Sequence, residues 1–277
     1  MHLLLIGHGY LGQSLSQRFR QAGWLVTTVS LTGGDASLAC DVADSPAVAA
    51  LAAKVTPDFI IHCAASGRGG AEAYQSVYVH GCRHLLEAFP GVPLLFTSSS
   101  SVYAQTDGSM VTEASPTLPD RDTGILLLDA EQLVLNSGGI VVRLSGIYGP
   151  GRSVILRKFL TGEAVMEDDG GRFLNQIHRD DAVSAIHQLA SNPSSHRGEV
   201  YNLSDATPLT QRACYLHLCA LFQRPLPPSA ARDLNRKRGW THKQVSSAKL
   251  QAIGWRPQFP AFLDAAPAIA PTLDLEQ

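Results

Sequence analysis

The sequence has no apolar run long enough to cross a membrane. A spanning helix needs about 18 to 20 consecutive apolar residues, and no segment of this 277-residue chain approaches that length. The opening stretch MHLLLIGHG has no basic start and runs at once into glycines, which is not typical of a secretory signal. We therefore expect no membrane partner and a cytoplasmic location.

Paired cysteines and an excess of basic charge are also absent. The five cysteines show no CxxC spacing, which predicts reduced thiols rather than a disulfide framework. The 22 Lys and Arg residues are balanced by 24 Asp and Glu residues, for a formal net charge of -2. Because a nucleic-acid surface needs clustered positive charge, we expect a small-molecule substrate and no nucleic-acid partner.

The first half of the chain alternates short apolar runs with amphipathic helical patterns. Each apolar run is bounded by turn residues, which predicts buried strands at HLLLIG, WLVTTVS, DFIIHCAAS, PLLFTSSS and GGIVVRLSG. Helices are predicted between them, including SPAVAALAAKV with Ser45 as N-cap and Pro46 at its first position. This alternation predicts an α/β fold, a Rossmann-type doubly wound parallel sheet.

The pattern loosens after the fifth predicted strand, and from Leu209 the sequence becomes rich in proline. We expect a dinucleotide-binding domain over residues 1–150, with residues 176–208 completing its sheet. Residues 151–175 and 209–277 are expected to form a small C-terminal substrate-binding lobe. Ligands should bind beyond the carboxyl ends of the parallel strands.

The segment GHGYLG follows the first predicted strand and opens the first helix. Gly7 permits a tight turn, Gly9 lets the backbone approach a pyrophosphate, and Gly12 lets helix and strand pack closely. The helix N-terminus adds N–H donors and a positive dipole end. The segment predicts a dinucleotide site, the alternative being a glycine-rich turn without a ligand.

The residues after the next two strands bear on the choice of coenzyme. An NAD site usually has an acid at the end of its second strand, and Ser30 stands there instead. No carboxylate would repel a 2′-phosphate at that point, so the sequence favours NADP weakly over NAD. Asp41 and Val42 are predicted to line the adenine, although Asp41 is almost equally typical of a turn cap.

Five further segments carry a resemblance to a known family. In chain order they are IIHCAAS, LLFTSSSSVYA, RLSGIYGPGR, NQIHRDDAVSAI and GEVYNLSD. Together with the phosphate loop they resemble the extended short-chain dehydrogenase/reductase superfamily of epimerases, dehydratases and reductases. The resemblance implies NAD or NADP as cofactor, held by Gly7, Gly9, Tyr10, Leu11, Gly12, Ser30, Asp41, Val42, Cys63, Ala64, Ala65 and Thr97.

The catalytic set that the resemblance implies is incomplete. Such enzymes use a Ser or Thr hydroxyl, a tyrosine that transfers a proton and a lysine that lowers the pKa of the tyrosine. Ser99 matches the hydroxyl, four residues before Tyr103. In TGILLLDAE the motif glutamate is Glu131, so Thr123 stands at the tyrosine position and Leu127 at the lysine position.

The missing phenol calls for a substitute, since a threonine hydroxyl is a poor proton donor near neutral pH. Tyr78 stands where the family has an asparagine near the nicotinamide, and Tyr148 and Tyr103 are the alternatives. Each could equally be an aromatic side chain that packs in the wall of the ligand cleft. Substrate contacts are expected from Tyr103, Tyr148 and Asn175, and no metal site is expected.

Two functions remain open at this point. The first is an NAD(P)-dependent oxidoreductase or epimerase that acts on a small polar, nucleotide-sugar-like substrate with a non-standard proton donor. The second is a dinucleotide-binding sensor or partner protein with little or no turnover. A homodimer is expected by analogy only.

Overall fold

The computed structural model describes residues 1–34, 37–67, 69–233 and 240–275. These residues contain fifteen strands and ten α-helices. The strands are β1 (His2–Ile6), β2 (Leu25–Ser30), β3 (Leu38–Ala39), β4 (Phe59–His62), β5 (Leu94–Ser99), β6 (Met110–Val111), β7 (Ile140–Leu144), β8 (Gly146–Tyr148), β9 (Met166–Glu167), β10 (Phe173–Leu174), β11 (Gln176–His178), β12 (Val200–Leu203), β13 (Leu209–Thr210), β14 (Ser229–Ala230) and β15 (Gln244–Val245).

The helices are α1 (Tyr10–Gln21), α2 (Ser45–Ala52), α3 (Ala71–Tyr74), α4 (Gly81–Ala88), α5 (Asp122–Asn136), α6 (Val154–Thr161), α7 (Arg179–Ser191), α8 (Gln211–Phe222), α9 (Ala248–Ala252) and α10 (Phe262–Ile269). A π-helical segment, Gln75–His80, joins α3 to α4. No helix in the described ranges has the length and apolar character that a membrane span requires.

Seven strands form one sheet in the order β12-β7-β5-β4-β1-β2-β3. On one side of β1, β2 pairs with it in parallel, and β3 pairs in parallel with β2. On the other side, β4 pairs with β1 in parallel, and β5 pairs in parallel with β4. The central strands are buried on both faces, as Leu3, Leu4 and Leu5 show with no exposed surface. The predicted Rossmann-type fold is confirmed.

The reversal of strand order falls between β1 and β4. Ile6, the last residue of β1, is in register with His62, the last residue of β4. Ligands of open α/β sheets bind outside the carboxyl ends of strands at such a reversal. The glycines after β1 and the Cys63 segment after β4 therefore lie at the expected binding edge.

The start of α2 differs by one residue from the prediction. Asp44 is the N-cap, with extended backbone angles, and Ser45 is already the first helical residue. The prediction of Ser45 as N-cap is wrong because serine and aspartate are both favoured caps, and only the backbone angles distinguish two adjacent candidates.

The chain divides into two compact units. Unit 1 consists of Met1–Val102, Pro119–Arg143 and Val183–Tyr201. It contains β1 to β5, helices α1 to α5 and most of α7. The phosphate loop, Ser99, Thr123 and Tyr78 all belong to it.

Unit 2 consists of Tyr103–Leu118, Leu144–Ala182 and Asn202–Gln277. Four short strand pairs, β6 with β15, β8 with β11, β9 with β14 and β10 with β13, connect these segments. Its core is formed by aliphatic and aromatic side chains from α6, α8 and α10 together with Tyr148. Segment 103–118 joins this unit because β6 pairs with β15.

Candidate functional site

The turn between β1 and α1 has the backbone that a dinucleotide loop requires. Gly7 has φ of +102°, and a Cβ there would lie 2.4 Å from the amide nitrogen of Ala64. A Cβ on Gly12 would lie 1.9 Å from the carbonyl oxygen of Gly7. Neither position can carry a side chain without moving backbone, which is why glycine stands at both.

Gly9 differs from these two glycines, because a Cβ there would meet nothing within 4 Å. It is the N-cap of α1, no side chain caps this helix end, and its first turn contains no acid. Amide hydrogens in the first turn of a helix have no partner within the helix, and the dipole favours an anion there. The space above Gly9 thus fits a diphosphate.

His8, which the sequence analysis did not consider, joins the loop to its surroundings. Its Nε2 lies 3.2 Å from the hydroxyl of Ser16, and its Nδ1 lies 2.9 Å from the hydroxyl of Ser37. Ser37 in turn donates to Thr28 Oγ1. Burial, with a smaller contribution from Arg20, lowers the pKa of His8. A histidine between two glycines of the motif is not a known sequence signal, so the sequence did not predict these hydrogen bonds.

The predicted ribose and adenine residues have local partners. The Ser30 hydroxyl donates to the carbonyl of Gly33 at 3.1 Å. The exposed Asp41 accepts a hydrogen bond from the N–H of Ala43 at 2.9 Å, so it caps its own turn. Val42 is buried at 6% exposure. Of these three side chains, only Ser30 and Asp41 have polar atoms, and Ser30 is half-buried while Asp41 is exposed.

The segment after β4 lies against the phosphate loop. The Cys63 thiol donates to the Gly7 carbonyl at 3.1 Å, and burial raises its pKa to about 12. Ala64 is half-buried and Ala65 is exposed. On β5, the Thr97 hydroxyl donates to the carbonyl of His62. The thiol is therefore a packing group, and the two alanines leave the loop accessible to a flat ligand.

Ser99 ends β5 and is half-buried. Its Oγ accepts a hydrogen bond from the N–H of Ser101 at 3.2 Å, so its own hydrogen is available to another acceptor. Its neighbour Ser98 is buried and donates to Glu131 Oε1 at 2.5 Å. Because side chains alternate along a strand, the two serines face opposite sides of the sheet.

Helix α5 carries Thr123 and Leu127 on its buried face, at 8% and 3% exposure. Gly124 packs against Pro119, since a Cβ there would lie 2.4 Å from the proline Cβ. Neither Thr123 nor Leu127 supplies a phenol or an ammonium group. That these two residues stand at the tyrosine and lysine positions of the family stays a prediction.

Glu131 forms a buried ion pair with Arg143. Arg143 Nε donates to both carboxylate oxygens at 3.1 Å, and Nη2 donates to Oε2 at 2.6 Å. Their side chains are 3% and 7% exposed, respectively. This pairing makes Arg143 a structural link between α5 and β7.

Tyr78 lies in the π-helical segment and is 8% exposed. Its hydroxyl oxygen accepts a hydrogen bond from the N–H of Ser66 at 3.2 Å, which leaves the phenolic hydrogen for a second acceptor. Its ring stands edge-on to Tyr74, with centroids 5.0 Å apart. Tyr78 is thus held in place without using its proton.

Tyr103 and Tyr148 are both fully buried in unit 2. The Tyr103 hydroxyl donates to Asn202 Oδ1 at 2.9 Å. The Tyr148 ring packs edge-on against His178 and Phe262, and burial raises its pKa. In this conformation neither ring offers surface to a ligand, and their predicted substrate contacts stay predictions.

Asn175 uses both ends of its amide within unit 2. Its Nδ2 donates to the carbonyl of Lys243 at 2.9 Å, and its Oδ1 accepts from the N–H of Val245 at 2.7 Å. The amide therefore anchors the segment that contains β15. Its predicted contact with substrate would require these bonds to open.

Lys243 is a buried cation that the sequence analysis missed. Its Nζ donates to the Tyr103 carbonyl at 2.7 Å and to the Thr241 hydroxyl at 3.0 Å. Burial, with repulsion from Arg172, lowers its pKa to about 8. No motif surrounds Lys243, so only the fold reveals it.

A buried acidic group lies near the end of β12. Burial, and then the neighbouring Asp181, raises the pKa of Asp205 to about 8. Asp181 accepts hydrogen bonds from the N–H groups of Gln258 and Phe259, which anchors that segment. Within the described ranges, no group of three or more His, Cys, Asp or Glu residues could hold a metal ion.

Comparison with known proteins decides the family. A sequence model of the NAD dependent epimerase/dehydratase family matches residues 3–204. The chain belongs to this family. Its fold and the order of its motifs are those that the resemblance implied.

Members of known sequence or structure resemble most of the chain. Protein YeeZ of Escherichia coli strain K12 is 26% identical, covering 92% of this chain and 95% of its own. A protein of Methylobacillus flagellatus, solved as an NAD-dependent epimerase/dehydratase, is 27% identical with a TM-score of 0.79 and covers 97% of both chains. MoeE5, solved with UDP-glucose and NAD, shares the fold at 20% identity, with a TM-score of 0.81 over 98% of both chains.

Proposed function

We propose that this protein is an NAD(P)-dependent oxidoreductase or epimerase for a small polar substrate, with Ser99 and Tyr78 as its reacting side chains. The observation that carries the proposal is the uncapped start of α1 at Gly9, where a Cβ would meet nothing within 4 Å. An anion is favoured there by the helix dipole and by free amide hydrogens.

Gly7, Gly9 and Gly12 would hold the diphosphate, and Ser30 would lie at the ribose. The bound coenzyme supplies hydride transfer. With no acid at Ser30 to accept a 2′-OH or repel a 2′-phosphate, NADP is the preferred form. A homodimer and a cytoplasmic location stay predictions.

Ser99 would orient a carbonyl or hydroxyl of the substrate, because its hydrogen is not used in its bond to the Ser101 amide. Tyr78 would give or take the proton at that oxygen. Of the three candidate tyrosines, Tyr103 donates its hydrogen to Asn202 and Tyr148 has no exposed surface. Tyr78 alone combines some exposure with a phenolic hydrogen that its observed bond leaves available.

A nucleotide sugar is the proposed substrate class. MoeE5 was solved with UDP-glucose and with UDP-glucuronic acid. 2′-dehydrokanamycin reductase of Streptomyces kanamyceticus, whose name indicates another class of substrate, is 27% identical over 60% of this chain and 51% of its own. Both relatives support a sugar-derived carbonyl or hydroxyl as the reacting group.

A dinucleotide-binding sensor with little turnover is the second candidate. It is favoured by Thr123 and Leu127, which fill the positions of the usual acid and lysine with buried packing groups. Such a protein would bind coenzyme tightly and convert none of its potential substrates.

Titration calorimetry with NADPH and NADH, followed by turnover assays on aldehydes, ketones and nucleotide sugars, tests the proposal. We expect micromolar or tighter binding of NADPH and turnover on a sugar-derived substrate that Tyr78→Phe largely abolishes. Binding without turnover on a broad panel would support the sensor. Absence of binding to either coenzyme would refute both functions, and full activity of Tyr78→Phe would refute the assignment of the proton donor.

A further inference from the structure

The helix that carries Tyr78 changes its winding on both sides of that residue. It runs as α-helix over Ala71–Tyr74, as π-helix over Gln75–His80 and as α-helix again over Gly81–Ala88. In a π turn the hydrogen bond spans five residues instead of four, so one extra residue is accommodated and the side chains take a different direction. Single π turns are rare and are frequent at functional sites.

A histidine side chain from the sheet contacts this π-helical segment. His62 Nε2 lies 2.9 Å from the carbonyl oxygen of Val77, one residue before Tyr78. A carbonyl only accepts hydrogen bonds, so Nε2 carries the hydrogen. The opposite nitrogen, Nδ1, is buried and has no hydrogen-bond partner among the described residues. The imidazole is thus a fixed donor to the π turn.

The ring is also neutral at ordinary pH. His62 has no exposed surface. Burial lowers its pKa to about 4, although the bond to Val77 acts in the opposite direction. Its hydrogen bond to the helix therefore persists across the pH range in which an enzyme of this family would be assayed.

Gly81 provides the room for this contact at the start of α4. A Cβ at Gly81 would lie 3.1 Å from His62 Nε2 and 3.1 Å from Val42 Cγ2. A larger residue would press on the ring or on Val42. Gly81 therefore leaves the space that the His62 ring occupies. From that position the ring donates its hydrogen bond to the helix.

The π turn decides where the Tyr78 phenol lies. Its oxygen accepts a hydrogen bond from the N–H of Ser66. Its ring stands edge-on to the ring of Tyr74, and its centroid lies 5.8 Å from the centroid of the Phe96 ring. Continuing the helix as regular α-helix would remove the extra residue and turn the Tyr78 side chain by about 100° around the axis. The bond to Ser66 would then be lost.

We infer that His62 is a positioning residue that holds the π turn through the Val77 carbonyl and thereby aims the Tyr78 hydroxyl. The catalytic consequence rests on the proposed role of Tyr78 as proton donor. The structural consequence, the direction of the phenol, does not depend on that role.

Fluorine NMR of the full chain labelled with 3-fluorotyrosine tests the inference. The sequence contains seven tyrosines, and the resonance that disappears in Tyr78→Phe identifies the relevant one. We expect His62→Leu to shift this resonance, and His62→Gln, which keeps a donor, to shift it less. Under the proposed function, kcat of His62→Leu should fall about tenfold or more, with the coenzyme dissociation constant within about twofold.

His84→Leu is the matched control. His84 lies on α4 and also directs a ring nitrogen to a backbone carbonyl, Val42 at 2.9 Å, outside the π turn. We expect it to leave the Tyr78 resonance and kcat unchanged. Gly81→Ala replaces His62→Leu if the latter does not fold, since it presses on the same ring, and the same shift is expected.

An unchanged Tyr78 resonance in folded His62→Leu, or in Gly81→Ala in its place, would overturn the inference. An equal shift in His84→Leu would also overturn it, because any loss of a helix contact would then suffice. Full turnover of Tyr78→Phe would refute the proposed proton donor instead, and the NMR result would still decide the role of His62.

Discussion

The turn between β1 and α1 and the buried face of α5 are both positions where this family carries its chemistry, and they have diverged differently. The turn keeps its three glycines and an uncapped helix end. Helix α5 has Glu131, Thr123 and Leu127, all buried, at the positions to which the resemblance assigns the glutamate, tyrosine and lysine of the family motif, and this assignment stays a prediction. Anion binding depends on backbone amides, whereas proton transfer depends on particular side chains, so binding can persist where the usual proton donor is lost.

The retained glutamate of α5 offers the largest expected effect. Arg143→Met leaves the Glu131 carboxylate buried without its cation, and we expect a loss of about 3–5 kcal/mol in the free energy of unfolding. Urea denaturation of the purified chain measures this loss. Adding Glu131→Gln to the same chain should restore part of the stability. A loss below about 1 kcal/mol would mean that Glu131 is retained for another reason.

A substitution at Gly9 tests whether the N-terminus of α1 binds the coenzyme. Gly9→Glu places a carboxylate in the open space at the positive end of α1, and we expect coenzyme affinity to fall about 100-fold by calorimetry. Gly70→Glu is its control, because Gly70 is also a helix N-cap with similar extended angles and open space at its Cβ. Equal losses in both variants would show that the effect is not local to the loop.

Tyr78→Phe tests whether the chemistry has moved from α5 to the π turn. We expect kcat to fall about 30- to 100-fold, within the range of general acid catalysis, with coenzyme affinity unchanged. Steady-state kinetics on the best substrate of the panel measures it. A comparable rise in KM with kcat unchanged would instead assign Tyr78 to substrate binding.

An effect that depends on pH is expected in unit 2, at its buried acidic group. Because the pKa of Asp205 in the folded chain is about 8, against the ordinary 3.8 of an aspartate carboxyl, the folded chain keeps a proton that the unfolded chain releases. Stability should therefore be complete below about pH 4 and should fall as pH rises to about 8, by up to about 1.4 kcal/mol per pH unit.

Asp205→Asn should remove most of this slope, which thermal or urea unfolding between pH 5 and pH 8 would measure. Asp129→Asn, at an exposed position of α5, is the control and should leave the slope unchanged. A slope that survives Asp205→Asn would assign the pH dependence to other groups, such as Asp181.

Much of the nucleotide half could be predicted because its signals are local. The strand, the glycine spacing and the helix that follows are contiguous, and the boundaries of β1, β2 and β5 lie within one residue of the predicted runs. Strand β4 begins within one residue of its predicted run but ends four residues before the end of that run. Unit 2 could not be predicted to the same extent, because its short strands pair across long separations in sequence. Lys243 reaches the Tyr103 carbonyl across 140 positions of sequence, and no local pattern marks such a contact.

The sequence by itself determined the Rossmann sheet and the glycine turn after β1, because each depends on residue type and spacing along one stretch of chain. Only the tertiary structure decided that Arg143 is bound to Glu131, that Tyr103 and Tyr148 are fully buried, and that a π turn against His62 aims the phenol of Tyr78. These features depend on which side chains meet after folding, and hydrogen bonding and burial fix them between residues far apart in sequence.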